Sequence, residues 1–167
     1  SLMRILGLDP GLKVTGWGVV DLNDSNLIHV GSGKVTSDEK KALSSRLVEI
    51  FDGVEKVVTT YSPDEVAIEE TFVNVNPKST LKLGHARGVV MLVPARFSLR
   101  VAEYSPNRIK KSVVGTGHAS KKQVETMVRT LLPTSRASSS DASDALAVAI
   151  CHIHYSSSPI VAQLLGE

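Results

Sequence analysis

Apolar residues recur along the chain with two spacings, which predict strands mainly in its first third and helices mainly in its last. Short apolar or alternating runs bounded by turn-forming residues indicate three strands, at 4–9, 15–22 and 27–35. Pro10-Gly11 closes the first run, and the polar segment 23–26 joins the second to the third. We therefore expect an antiparallel meander of three strands at the start of the fold.

The rest of the chain alternates between helical spacing and two more strand-like runs. Five segments have apolar residues three or four positions apart, and the predicted helices cover 42–61, 78–95, 106–114, 120–132 and 140–155. Short apolar runs at 64–70 and 99–104 indicate the remaining strands. The predicted order βββαβαβααα gives an α/β domain with a mixed five-stranded sheet and helices on both faces.

Length and composition favour a single globular domain over residues 1–167, with a tail at 156–167. Ser1-Leu2 precedes Met3, and we expect these two residues to be a remnant of cloning. No apolar run approaches the roughly 20 residues that span a bilayer, and no secretory signal is visible. The single cysteine, Cys151, cannot form an internal disulfide, which suits a reducing cytoplasm, and we expect it to fill the core.

Charge is distributed unevenly along the chain, although the net charge is only +2. Residues 71–140 contain 12 Lys and Arg but only two acids, Glu103 and Glu125, whereas the remainder has 7 Lys and Arg against 15 acids. The basic block predicts a polyanionic partner, and the acidic remainder leaves room for a cation site. A chance excess of charge on solvated surfaces is the alternative interpretation.

Carboxylates stand at the ends of three separate elements. Asp9 ends the first predicted strand, Glu69 and Glu70 end the fourth, and Asp141 and Asp144 share one face at the start of the last helix. If these ends meet, the carboxylates repel one another unless a cation binds, and hard oxygen ligands favour Mg²⁺ or Mn²⁺. Two such ions can activate water and stabilise the leaving oxygen in phosphodiester hydrolysis.

Each carboxylate also has a structural explanation. Asp9 could open a turn before Pro10-Gly11, and Asp141 could complement the dipole of the last helix. Strand alternation places Glu70 on the packed face of its strand and Glu69 on the opposite face, so we favour Glu69 as the site residue.

A set of motifs in a fixed order resembles the RuvC family of Holliday-junction resolvases over residues 3–155. The motifs are LDPG at 8–11, TGWG at 15–18, AIE at 67–69, LKLGHARG at 81–88, VVG at 113–115, MVRTLL at 127–132 and DASDALA at 141–147. The resemblance implies the RNase H-like fold of the retroviral integrase superfamily. It also implies a magnesium-dependent endonuclease that nicks two opposing strands of a four-way junction and leaves 5′-phosphate and 3′-hydroxyl ends.

The resemblance implies roles for particular residues. Asp9, Glu69, Asp141 and Asp144 correspond to the four catalytic acids of the family, which bind two Mg²⁺ ions with Mn²⁺ as a substitute. Lys110 corresponds to a basic residue near the scissile phosphate. Histidine replaces Asp141 in some relatives, and Glu70 could share the metal. Phe72 matches an aromatic residue that contacts unpaired bases, and core packing is the alternative for this residue. The basic residues expected to attract phosphates are Lys78, Lys82, Arg87, Arg108, Lys110, Lys111, Lys121 and Lys122.

The family also implies assembly into a homodimer, a branch-migration helicase as partner, and a bacterial cytoplasmic location. The helix at 78–95 carries a stripe of Leu and Gly that permits close contact with a second helix, but the same stripe could pack on the sheet. Three other functions compete with this interpretation. They are an RNase H-like nuclease acting on RNA, a junction-binding module without catalysis, and an actin-like ATPase, which needs about twice this length.

Overall fold

Five strands form one mixed sheet in the structure, a computed structural model that describes residues 2–70, 76–135 and 138–157. The strands are β1 (Leu2–Asp9), β2 (Val14–Asn23), β3 (Asn26–Thr36), β4 (Glu65–Glu69) and β5 (Arg100–Tyr104). Their order in the sheet is β3-β2-β1-β4-β5. The first three strands pair antiparallel, and β4 and β5 add in parallel. The predicted meander and the mixed five-stranded sheet are confirmed.

Five helices complete the described part of the fold, and each lies where helical spacing predicted one. They are α1 (Leu43–Tyr61), α2 (Pro77–Arg96), α3 (Pro106–Val114), α4 (Lys121–Leu131) and α5 (Ser140–Ser157). Side-chain oxygens of Asn76, Ser105 and Ser120 accept backbone N–H groups in the first turns of α2, α3 and α4. A short 3₁₀ turn at Pro133–Ser135 was not predicted.

Side chains alternate between two cores on opposite faces of the sheet. Ile5 and Ala67 lie in the core formed with α3, α4 and α5. Leu6, Leu8 and Ile68 lie in the core formed with α1 and α2. Helices therefore cover both faces, as predicted, because strand side chains point to opposite sides with a period of two.

The structure describes both ends of the chain only in part. Leu2 pairs with Asn23 in the sheet, so it is part of β1 although it was expected to be a cloning remnant. Cys151 is buried in α5, which confirms it as a core residue. The predicted tail begins inside α5, and residues 158–167 lie outside the described part of the chain. Within the described ranges, no helix combines the length and apolar character needed to cross a bilayer.

Helix α5 lies unusually close to the sheet because glycines face it. A methyl group on Gly7 of β1 would overlap the carbonyl oxygen of Ala145, and one on Gly16 of β2 would overlap the carbonyl oxygen of Asp141. Gly16 pairs directly with Asp9. The backbone of the first turn of α5 is therefore held against the end of β1.

A buried chain of hydrogen bonds fixes the other end of α5 to β4 and β5. His152, which is 1% exposed, lies 2.8 Å through Nδ1 from the Tyr104 hydroxyl and 2.7 Å through Nε2 from a Glu65 carboxylate oxygen. An ionised carboxylate can only accept, so Nε2–H donates to Glu65. This chain holds α5 in a single lateral position on the sheet.

We predict that Gly7→Ala destabilises the protein by about 1–3 kcal/mol, because the added methyl group must push α5 away from β1. Urea unfolding followed by circular dichroism measures the change. Gly117→Ala is the matched control, since its methyl group would lie no closer than 3.4 Å to any neighbour. Equal stability of the Gly7 variant and wild type would contradict the close packing described above.

Candidate active site

The carboxyl ends of β1 and β4 bring two acids side by side. The two strands are parallel, and Leu8 pairs with Ile68, so Asp9 and Glu69 are neighbours at one edge of the sheet. Their side chains are hydrogen-bonded to each other. Both lie on the face that α5 covers, which is the face of Gly7 and Ala67.

Two further acids enter from the first turns of α5. Asp141 and Asp144 are half-buried, and the negative charge of each raises the pKa of Asp9. Their approach follows from the glycine contact, because the backbone of Asp141 rests on Gly16 opposite Asp9. The other three selected acids therefore lie near enough to Asp9 for their charges to act on it.

The preference for Glu69 over Glu70 agrees with the geometry. Val66 and Ile68 pack in the α1–α2 core, so Glu69 lies on the opposite face of β4, together with Asp9. Glu70 follows the strand, and its backbone N–H donates to the carbonyl oxygen of Tyr104 at 2.8 Å. Alternation of side chains along β4 was sufficient to separate the two.

Burial and mutual repulsion make this group of acids hard to ionise. Burial, followed by the charge and hydrogen bond of Glu69 and the charges of the two α5 acids, raises the pKa of Asp9 to about 8. Burial is also the main cause of the raised pKa values of Glu69 and Asp144, and nearby lysines partly offset both. Without a bound cation, Asp9 therefore keeps its proton more readily than an exposed aspartate does.

Two lysines line the pocket in front of the acids. A cavity of about 280 Å³ is bounded by Glu69, Lys110, Lys121 and Asp144, and its walls are completed by side chains of α3, α4 and α5. Lys121 Nζ lies 3.4 Å from Asp144 Oδ2. The positive charges of Lys110 and Lys121 both lower the pKa of Glu69. The pocket thus places cationic groups beside anionic ones, an arrangement suited to a phosphate ester and a metal ion together.

The donor chemistry fits a hard divalent cation. All four acids offer carboxylate oxygens, which Mg²⁺ and Mn²⁺ prefer, and a cation would relieve the repulsion that, after burial, raises the pKa of Asp9. Within the described ranges, no three Asp, Glu, His or Cys side chains are already arranged to hold one ion. The Asp9–Glu69 hydrogen bond and the Lys121–Asp144 ion pair engage carboxylate oxygens that a metal would need.

The predicted DNA-binding residues are distributed over α2, α3 and α4. Lys110 is half-buried in the pocket wall, and Phe72 lies outside the described residues. The exposed members of the set are Lys78, Lys82, Arg108, Lys111, Lys121 and Lys122. Arg87 differs from these, because its guanidinium forms an ion pair with Glu103 of β5 and its side chain is only 22% exposed. The role of Arg87 in DNA binding stays a prediction.

Sequence reasoning did not select Glu125 or Ser140, which belong to the surroundings of the acids. Glu125 stands one helical turn after Lys121 on α4, and its carboxylate accepts a hydrogen bond from Ser140 Oγ at 3.0 Å. Its charge raises the pKa values of both Lys121 and Asp144. The spacing of four residues between Lys121 and Glu125 was the available signal.

We predict that the metal-free protein loses stability as the pH rises from about 4 to about 8. Asp9 has an unfolded pKa of about 3.9 and a folded pKa of about 8, so the folded state binds more protons in this window. Because one pH unit in this window changes the free energy of unfolding by about 1.4 kcal/mol, Asp9→Asn should gain up to about 4 kcal/mol in stability relative to wild type between pH 5 and pH 8.

Urea unfolding in a chelator at both pH values measures this gain. Asp52→Asn, on the exposed surface of α1, is the control and should keep the wild-type dependence on pH. A constant difference between wild type and Asp9→Asn at the two pH values would contradict the raised pKa.

Comparisons with known proteins agree with this geometry. The model of the family described as crossover junction endodeoxyribonuclease RuvC matches residues 5–152. The RuvC of Paramagnetospirillum magneticum is 60% identical over 153 residues, 92% of each chain, and that of Rhodospirillum rubrum is 56% identical over 92% of this chain and 90% of its own length.

A solved structure shows the same fold. The Thermus thermophilus RuvC in complex with Holliday junction substrate superposes with a TM-score of 0.86 and 31% identity, covering 92% of this chain and 94% of its own. The predicted RNase H-like fold is confirmed by this match. With the family model spanning nearly the whole chain and two relatives above 50% identity, this chain belongs to the RuvC family of crossover junction endodeoxyribonucleases.

Proposed function

We propose that this protein is an endonuclease that resolves Holliday junctions by nicking two opposing strands, in recombination and DNA repair. One observation carries the proposal: Glu69 and Asp144 line a single pocket with Lys110 and Lys121, and the charges of Glu69, Asp141 and Asp144 act on the adjacent Asp9. The junction as substrate is supported by the family and by the solved relative that holds a Holliday junction.

Different residues of this chain would have different roles in phosphodiester hydrolysis. Asp9, Glu69, Asp141 and Asp144 would hold divalent ions, proposed to be two Mg²⁺ with Mn²⁺ as a substitute. When bound, these ions supply a nucleophilic water at neutral pH and neutralise charge on the phosphate. Lys110 offers its ammonium group to the scissile phosphate, because it lines the pocket beside Glu69. The products proposed are 5′-phosphate and 3′-hydroxyl ends.

The exposed lysines and Arg108 would attract the junction backbone without reading sequence. Lysine binds phosphate as a point charge, and such contacts give affinity that falls as salt rises. Phe72 remains a proposed contact to unpaired bases. Any sequence preference would then arise from the shape of the junction or from the geometry of cleavage.

Helix α2 supports a homodimer, which would match the approximate two-fold symmetry of a four-way junction. Leu81 and Leu92 are 67% and 50% exposed, although both are large apolar residues. Gly84 and Gly88 face open space, since a methyl group on either would meet no atom within 4 Å. Met91 of the stripe packs against the core, but within the described residues these four positions do not, and a second copy of α2 would bury them.

The proposed protein partner and cellular location rest on the family and not on the geometry of the site. We propose that a branch-migration helicase complex acts on the same junction, and that the protein works in the bacterial cytoplasm. Neither statement changes the chemistry of the site.

We predict that Asp9→Asn reduces Mg²⁺-dependent cleavage of a synthetic four-way junction by at least about 100-fold, because a neutral amide cannot replace the central carboxylate. Junction binding in a gel-shift assay should remain near wild type, since the lysines are untouched. Asp52→Asn is the control for both measurements. Near-wild-type cleavage by Asp9→Asn would end the site assignment.

The same assay separates the substrate classes. The four-way junction should be cut in preference to an RNA–DNA hybrid and to a structured RNA of equal length. Faster cutting of either RNA substrate would replace the proposed function with an RNA-directed nuclease. Junction binding with no cleavage in Mg²⁺ or Mn²⁺ would leave a binding module.

We predict that Leu81→Asp converts the dimer into a monomer, because a carboxylate would have to be buried in the helix contact. Sedimentation velocity at micromolar concentrations measures the change. Val48→Asp is the matched control, since Val48 is 57% exposed and belongs to a different helix, α1. A dimer that survives Leu81→Asp would place the interface elsewhere.

A further inference from the structure

The carboxylate of Asp144 already forms an ion pair within the protein, with the ammonium group of Lys121. Lys121 Nζ lies 3.4 Å from Asp144 Oδ2, and the lysine side chain is 64% exposed while that of Asp144 is 26% exposed. Lys121 is the first residue of α4, which begins with a complete capping box between Ser120 and Gln123. The backbone that carries the ammonium group is therefore well anchored, although its side chain can move.

A second acid lies within reach of the same ammonium group. Glu125 follows Lys121 by one turn of α4, and Coulomb attraction to Asp144 and Glu125 raises the pKa of Lys121. Ser140 Oγ donates to Glu125 Oε1 at 3.0 Å, which holds this carboxylate at the junction of α4 and α5. Lys121 thus stands between a carboxylate in the pocket and a carboxylate outside it.

We propose that Lys121 is a resident counter-ion of the acid cluster, which must leave Asp144 before a divalent ion can bind there, and that Glu125 receives the displaced ammonium group. The inference rests on the proposed function, because it takes the acids as metal ligands. It explains why no three of the described acidic side chains are already grouped around one point although their charges interact.

The exchange of Lys121 for a divalent ion at Asp144 couples metal binding to DNA binding. A DNA phosphate that draws Lys121 away from Asp144 frees a carboxylate for the metal, so DNA and metal would favour each other's binding. By linkage, the coupling is the same in both directions. The free protein would then hold divalent ions weakly and gain affinity at the junction.

Mn²⁺ binding to the DNA-free protein, followed by calorimetry, tests the exchange without any cleavage. Lys121→Met should bind Mn²⁺ about two- to fivefold more tightly than wild type, the range expected for loss of a solvent-exposed ion pair. Lys121→Arg keeps the charge and should bind like wild type. Lys122→Met is the matched control, because Lys122 is adjacent on α4 but lines a different pocket.

A double-mutant cycle tests the part played by Glu125. Glu125→Gln should weaken Mn²⁺ binding about twofold in the wild-type background, and should have no effect when Lys121 is already methionine. A Glu125→Gln effect of equal size in both backgrounds would mean that Glu125 acts on the metal directly, and would overturn its proposed role.

Three outcomes overturn the exchange itself. They are equal tightening by Lys121→Met and Lys122→Met, no tightening by Lys121→Met, and no Mn²⁺ binding by either wild type or Lys121→Met. Cleavage by the wild type separates this failure from that of the proposed function. If Mg²⁺-dependent junction cleavage persists, only the exchange is wrong, and if it is absent, the metal site itself is wrong.

Discussion

The close packing of α5 on glycines of β1 and β2 is the constraint on which the site depends. Side chains larger than hydrogen at Gly7 and Gly16 would hold the helix away from the sheet. When α5 contacts the sheet, the carbonyl group of Asp141 lies against Gly16, which pairs with Asp9. The acidic first turns of α5 then face the ends of β1 and β4. The acids are thus forced together by backbone packing, in spite of their mutual repulsion.

That repulsion has to be offset in each state of the protein. In the metal-free state, the raised pKa of Asp9, which favours its neutral form, and the ammonium group of Lys121 provide the offset. In the working state, divalent ions would replace both. Strain stored as unfavourable charge is common where a fold prepares a site for a cation, because the scaffold supplies stability that the site itself does not.

Much of the fold could be predicted because each element carries a local signal. The period of apolar residues gave every helix and strand to within a few residues, and alternation along β4 correctly separated Glu69 from Glu70. The 3₁₀ turn at Pro133–Ser135 and the buried Glu65–His152–Tyr104 chain were missed. Three residues are too few to show a period, and contacts between positions 87 residues apart leave no spacing to detect.

The side-chain partners of the basic residues could not be predicted for a related reason. Sequence gives the charge of Arg87 and of Lys121 but not the acid that each meets across the fold. Arg87 faces the edge strand β5, where Glu103 neutralises it, whereas Lys121 faces the pocket. Arg87 and Lys121 therefore have different roles although both are positively charged. The position of the nearest carboxylate decides whether a cation stabilises the scaffold or remains exchangeable at the site.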